Sequence, residues 1–455
     1  MRAYIEPAAA GTLLNEWRKV AQRTGKLPKV ADLTDNAYGQ PVSQVIVWTD
    51  KRKTVFAGGV RSRQSTNHND EEEQNMRNTR LCAALGLATA LAAGVASAEI
   101  TIGVSLGATG PGASLGIHYK NAYTLMPKTL GGEPVRYIIL DDASDPTIAA
   151  KNARKLVSED KVDALMGSNG VPSAVQMTQV AAESKTPMIA LTPIPPLPPE
   201  RAAWTFVVPQ TTELMMGAIA EQMKLHGVKT VGYIGFSDTW GDLVLKALEF
   251  HAASAGYKIV TNERYARADT SVTGQVLKII AANPDAVVVG GSGTGGALPH
   301  IALVERGYKG PIYHNHGTVN AEFIKVGGKN VEGAVAVTGP LIVPEELPAN
   351  YPTKAVSLDF TKRYEAAFGA GSRNAFAGYA YDGYLVLNSA VPAALKKAKP
   401  GTPEFRDALR ASLENVRNIV GTHGIYNMSP SNHNGLDDRA RVLVKVEQGT
   451  WRLLK

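Results

Sequence analysis

The feature that most constrains this chain is an alternation of short apolar runs with amphipathic stretches, which begins at residue 99 and begins again at residue 230. EITIGVS, VRYIIL, VDALMG and PMIAL read as strands buried on both faces, because their apolar residues are continuous rather than alternating. Helical periodicity over 147–158 and 173–184 separates them. Strands alternating with helices imply a parallel sheet covered on both faces. TVGYIGF, YKIVTNE, PDAVVVG and GPIYHN repeat the pattern, with helices expected near 240–255, 270–282 and 294–307.

The two halves echo each other in sequence. DALMGSNG at 163–170 resembles DAVVVGGSG at 285–293, and each precedes a proline-led strand, at Pro187 and Pro311. A repeat of this kind implies two lobes of like fold. In open parallel sheets, ligands bind beyond the carboxyl ends of the strands, where both echoed loops lie. Both loops are therefore expected to face one cleft between the lobes. After residue 339 the pattern turns helical (353–368, 374–396, 403–415) and ends in two strands, ARVLVKVEQ and TWRLLK, about a turn at Gly449.

A chain of 455 residues suits two domains, and 44% hydrophobic with 20% charged residues describes a soluble globular protein. The net charge of +7 is scattered, without a Lys/Arg-rich run, so nucleic acid is not an expected partner. From Met76 the chain reads as a signal peptide over 76–98: Arg77 and Arg80, an apolar stretch from Leu81 to Val95, then Ala96-Ser97-Ala98 for cleavage. That stretch is too short and too rich in Ala and Gly to span a membrane stably. The single cysteine, Cys82, lies within it, so the mature chain from Glu99 has no disulfide. Residues 1–75 are expected to be a mis-translated leader or a disordered extension. Glu71-Glu72-Glu73 would be encoded by a purine-rich tract placed as a ribosome-binding site before Met76.

Several motifs carry a catalytic or cofactor reading beside a plainer one. Gly291, Gly293 and Gly296 satisfy G-x-G-x-x-G, but no acid follows at the end of the next strand to hold a ribose. The first loop, with Gly107, Gly110 and Gly112, has Asp141 and Asp142 at the end of the next strand, although Pro111 removes an amide donor. Gly112-Ala113-Ser114-Leu115-Gly116 matches the nucleophile-elbow spacing, yet it follows the first strand, where a serine is expected to cap a helix. His314 and His316 point the same way if both lie on a strand, but no third metal ligand is adjacent. Ser168, Asn169, Ser173 and Thr192 sit at strand ends before helices, where hydroxyls and backbone amides suit a carboxylate. No cofactor and no metal are expected.

ITIGVSLGATGPGASLGIHYKNA followed by YIILDDASDPTIAAKNARKLVSEDKVDALMGS resembles the type I periplasmic binding proteins of ABC transporters, within the branched-chain amino-acid-binding family. The resemblance runs over 99–455. It implies an α/β fold of two Rossmann-like lobes joined by a three-strand hinge, with 99–210 and 340–438 in lobe one and 211–339 and 439–455 in lobe two. It also implies a periplasmic monomer, without catalytic activity, that closes on a ligand and passes it to an inner-membrane permease. Carried over position by position, the binding residues are Leu115, Ser173, Thr192, Pro193 and Ile194 in lobe one. In lobe two they are Trp240, Ser292, Gly293, Thr294, His316 and Gly317. Where amino-acid binders of this family hold the ligand ammonium with an acid, this chain has His316-Gly317. An unmatched buried ammonium is costly, which disfavours an α-amino acid. GPGASLGI, HNHG and MSPSNHNGLDDRARV resemble the branch that binds aromatic carboxylic acids. There Trp240, a cleft residue expected to be only partly packed, would stack on the ring, and lobe-one hydroxyls and amides would hold the carboxylate. The alternatives are an amino-acid-binding protein, an extracytoplasmic sensory module and, last, an NAD-dependent dehydrogenase.

Overall fold

A computed structural model describes residues 99–455; the expectations for the signal peptide, Cys82 and residues 1–75 fall outside the described residues. The first sheet holds β1 (Ile100–Leu106), β2 (Thr129–Leu130), β3 (Glu133–Asp141), β4 (Ala164–Gly167), β5 (Met188–Ala190) and β6 (Thr205–Val207). Their spatial order is β2-β3-β1-β4-β5-β6, parallel except for the β2–β3 ribbon. The second sheet is built from β7 (Thr230–Phe236), β8 (Lys258–Tyr265), β9 (Ala286–Gly290), β10 (Ile312–His314) and β11 (Val335–Thr338). A short ribbon, β12 (Ile419–Val420) with β13 (Ile425–Tyr426), precedes the last two strands, β14 (Val442–Glu447) and β15 (Thr450–Leu453). The second sheet runs β15-β14-β11-β10-β9-β7-β8, with β14 and β15 antiparallel at one edge.

The central strands β1, β4, β7 and β9 are almost wholly buried. Two of the expected continuous strands differ: β3 and β8 lie beside one neighbour each in the parallel array and are partly exposed. In β3, Tyr137 and Ile139 pack against one core cluster and Ile138 and Leu140 against another, yet all four stay partly exposed beside a single parallel neighbour. Helices Pro146–Ser158, Val171–Glu183, Thr239–Ala255, Thr273–Ala282 and Ala297–Glu305 connect the strands. Helix Thr212–Leu225, which has no counterpart in the sequence reading, leads into β7.

The order of strands fixes where a ligand can go. In the first sheet β1 lies between β3 and β4, and in the second β7 lies between β8 and β9. Successive connections therefore diverge to opposite sides, which opens a crevice at the carboxyl ends of those strands. After β11, helices Lys354–Phe368, Ala375–Leu395 and Pro403–Leu413 return to the first lobe. There Tyr119 packs against Phe376 at 5.9 Å between ring centroids, and Gly131 N donates to Asn388 Oδ1.

The chain passes between the lobes three times, and the passages are bonded to one another. Gln210 in the first donates to the Ala440 carbonyl in the third and accepts from Tyr379. Asn434 donates to the carbonyls of Val207 and Pro209. Gly339 in the second leaves room for His423, since a Cβ there would lie 1.8 Å from Nδ1. Beneath them Asp382 is fully buried and accepts from Thr422 N, His423 N and Tyr426 OH. Burial outweighs those bonds and pushes its carboxyl up to about 6.

Candidate functional site

The carboxyl ends of the strands from both lobes meet in one cleft. Lobe one contributes Leu115 from the helix after β1, Asn169, Gly170 and Val171 after β4, Leu191 and Thr192 after β5, and Phe376. Lobe two contributes Trp240 after β7, Arg267 after β8, Ser292 after β9, and His316 with Gly317 after β10. The lobes are drawn together, and the cavity between these walls is only about 20 Å3. A pocket that takes a single benzene ring is on the order of 150 Å3, several times larger.

Aromatic faces form much of the wall. The His316 ring stands edge-on to Trp240, with centroids 5.4 Å apart and an interplanar angle of 86°, and edge-on to Tyr379 at 6.1 Å. Trp240 is held by Nε1–H donation to the Gly291 carbonyl and is only 4% exposed, so it is packed more fully than a cleft residue was expected to be. His316 is equally buried, and that burial pushes its pKa down to about 4, leaving the ring neutral at pH 7. Its Nδ1 has no partner among the described residues. Among the residues lining the cleft, Arg267 is the one with a charged side chain.

The sequence-derived residues divide. Leu115, Thr192, Trp240, Ser292, His316 and Gly317 line the cleft together. Ser173 is buried in the first turn of helix Val171–Glu183 and is not among the lining residues. Pro193 follows the Thr192 wall, whereas Ile194 lines a separate groove on lobe one beside His433. Gly293 and Thr294 form a short 3-10 turn, Gly293–Gly296, behind Ser292, and a Cβ on Gly293 would lie 2.5 Å from Ser114 Oγ. Gly317 is required by a close approach: a Cβ there would sit 2.7 Å from both Asn315 Oδ1 and Ser292 Cβ. Phe376 and Arg267 were not found from sequence. Phe376 arrives from a helix far along the chain. Arg267 was detectable in principle, because it follows β8 at the end where ligands bind.

The alternative motifs are occupied structurally. Asp142 accepts from Ser105 Oγ, Ser168 Oγ and Ser144 N, and Asp141 from Ala108 N, Thr109 Oγ1 and Ala143 N. Both acids hold the first loop together and are committed where a ribose would need them. Asn169 bonds to Gly107 N and Gly112 O with its two side-chain ends. Ser114 does not cap its helix, which starts at an uncapped Gly112; its buried Oγ faces Gly293 without a partner among the described residues. His314 and His316 diverge because β10 ends at His314, which pairs with His300 at 2.8 Å while the chain turns His316 into the cleft. No group of three or more His, Cys, Asp or Glu placed to hold a metal occurs among the described residues. Ser292 Oγ accepts from Arg267 Nη1, and no hydrogen bond joins Ser292 to His316 in the lining.

The sequence matches the periplasmic binding protein family model over residues 99–450, and the chain belongs to that family. A solved extracellular ligand-binding receptor from Rhodopseudomonas palustris is 47% identical, covering 78% of this chain and 99% of that one with a TM-score of 0.77. A Leu/Ile/Val-binding protein homolog from Brucella melitensis is 26% identical over 270 residues, 57% of this chain and 72% of that one. An ABC-transporter solute-binding protein from R. palustris, solved with benzoate, shares the fold at 20% identity and a TM-score of 0.66, covering 78% of this chain and 95% of that one. The type I periplasmic binding protein fold expected from sequence is the fold observed. The family is extracytoplasmic, and no helix among the described residues is long and apolar enough to cross a membrane.

Proposed function

We propose that this protein is the periplasmic solute-binding component of an ABC transporter, that it captures a small aromatic carboxylic acid between its lobes, and that it delivers the ligand to an inner-membrane permease without chemical change. The supporting observation is the character of the wall: Trp240, Phe376 and a neutral His316 line the cleft together, and no carboxylate lines it. An apolar ring is matched by these faces, at about 0.5–1.5 kcal/mol per aromatic contact beyond burial. An α-amino acid would bring an ammonium into this wall, where neither His316 nor Arg267 supplies a counter-charge. The name of the Brucella relative supports the amino-acid reading, and the benzoate-bound protein of the same fold supports the aromatic one.

A thermal-shift screen of the secreted protein against benzoate, cinnamate, leucine and phenylalanine tests this. An aromatic acid at 100 times its dissociation constant should add about 2.7 kcal/mol of stability. Stabilisation by leucine and by neither aromatic acid would sink the ligand assignment.

A further inference from the structure

We infer that Arg267 of lobe two, rather than the hydroxyls of lobe one, holds the ligand carboxylate and selects acids over their neutral analogues. This rests on the proposed function and assigns the polar end of the same site. Arg267 follows β8 and lines the cleft, with its side chain 24% exposed.

Three contacts fix the guanidinium before any ligand arrives. Asp238 Oδ2 accepts from Nε at 2.6 Å, Ser292 Oγ accepts from Nη1 at 3.3 Å, and the Phe236 ring lies beneath it with Cζ 4.3 Å from the centroid. Asp238 is itself held, because its Oδ1 caps helix Thr239–Ala255 through Trp240 N and Gly241 N. Asp238 and Ser292 thus take one N–H each, and Nη2 has no partner among the described residues. A planar fork fixed in this way suits a carboxylate, and little side-chain entropy is lost when the ligand binds. The same Asp238 anchors the backbone N–H of Trp240, so one residue ties the start of the helix that carries the ring to the anion-binding fork.

The lobe-one candidates are less available. Both side-chain ends of Asn169 are committed to the first loop, and Ser173 is not among the residues that line the cleft. Pro172 removes one amide from the first turn of helix Val171–Glu183. Thr192 remains, as a neutral hydroxyl.

The test is a ligand-edit cycle by calorimetry. Wild type, Arg267→Gln and Arg267→Lys are titrated with benzoate and benzamide and with cinnamate and cinnamamide, with circular dichroism to verify the fold. Wild type should prefer each acid to its amide. Arg267→Gln should lose about tenfold to a hundredfold in affinity for the acid and little for the amide, as expected for a charge-assisted hydrogen bond. Arg267→Lys keeps a cation beside Asp238 but not the fork, and should fall between. An equal loss for acid and amide would show Arg267 acting through packing, and an unchanged preference for the acid would place the carboxylate elsewhere; either overturns the inference. If wild type binds leucine and no aromatic acid, the aromatic reading fails separately, and leucine against leucinamide then decides the role of Arg267 by the same comparison.

Discussion

His118 of lobe one reaches across to Glu322 of lobe two, with Nε2 3.0 Å from Oε1, while its Nδ1 lies 3.1 Å from Tyr364 OH. The pair joins helix Ala113–Thr124 to helix Ala321–Gly327. Burial alone would raise the Glu322 carboxyl, but the His118 contact prevails and holds it below the usual carboxylate range. Partly exposed pairs of this kind contribute about 0–1 kcal/mol. Glu322→Gln should therefore bias the lobes toward separation and weaken ligand binding by at most about fivefold. Small-angle scattering on the unliganded variant should show a radius of gyration at or above that of wild type; a smaller radius would rule out the clasp.

Acid should destabilise the fold well before ordinary carboxylates titrate. Burial pushes His300 and His316 down to about 4 and His423 to about 3, and holds His314 well below the ordinary histidine value. An unfolded chain takes up protons on these rings near pH 6.5, whereas the folded chain does so only near pH 4 and below. Stability is thus full above about pH 6.5 and falls as pH drops toward 4, by up to about 1.4 kcal/mol per pH unit for each ring. Asp382, raised to about 6, opposes this between its unfolded and folded values, because it binds a proton in the fold first. Burial also raises Asp142 and Asp163, which oppose it in the same sense, but the three aspartates offset only part of four lowered histidines. Chemical denaturation at pH 7, 6 and 5 should give falling stabilities; equal values would contradict the burial of these rings.

Trp240→Ala should lose about tenfold to a hundredfold in affinity for an aromatic acid. It should also lower stability, since truncating a buried tryptophan costs about 3–5 kcal/mol. Trp240→Phe separates the effects by keeping an aromatic face and losing only the bond to the Gly291 carbonyl. It should retain most of the affinity. Wild-type affinity in a folded Trp240→Ala protein would remove Trp240 from the site.

Gly339→Ala tests the packing of the passages between the lobes. Its Cβ would overlap His423 and approach Gln210 Nε2 to 2.9 Å, in a place where both neighbours are bonded on other sides. Overpacking of this kind costs about 1–3 kcal/mol. The melting temperature should drop with no residue of the cleft altered. An unchanged melting temperature would mean that the passages give way easily.

The sequence by itself determined the α/β class, the two-lobe repeat and the loops that meet in the cleft. These depend on local periodicity and on the rule that parallel sheets bind ligands at their carboxyl ends. Thr192 and Ser292 were therefore legible as loop residues, whereas Trp240 and His316 were reached through the family resemblance. What the tertiary structure decided was which way each side chain faces and what it meets. His314 and His316 diverge because β10 stops between them, and Ser173 is buried in the first turn of its helix. Phe376 enters from a helix whose sequence says nothing of the cleft. Arg267 gains its orientation from Asp238, Ser292 and Phe236, which come from separate segments of the chain. Such convergence depends on long-range packing, which no local pattern of residues encodes.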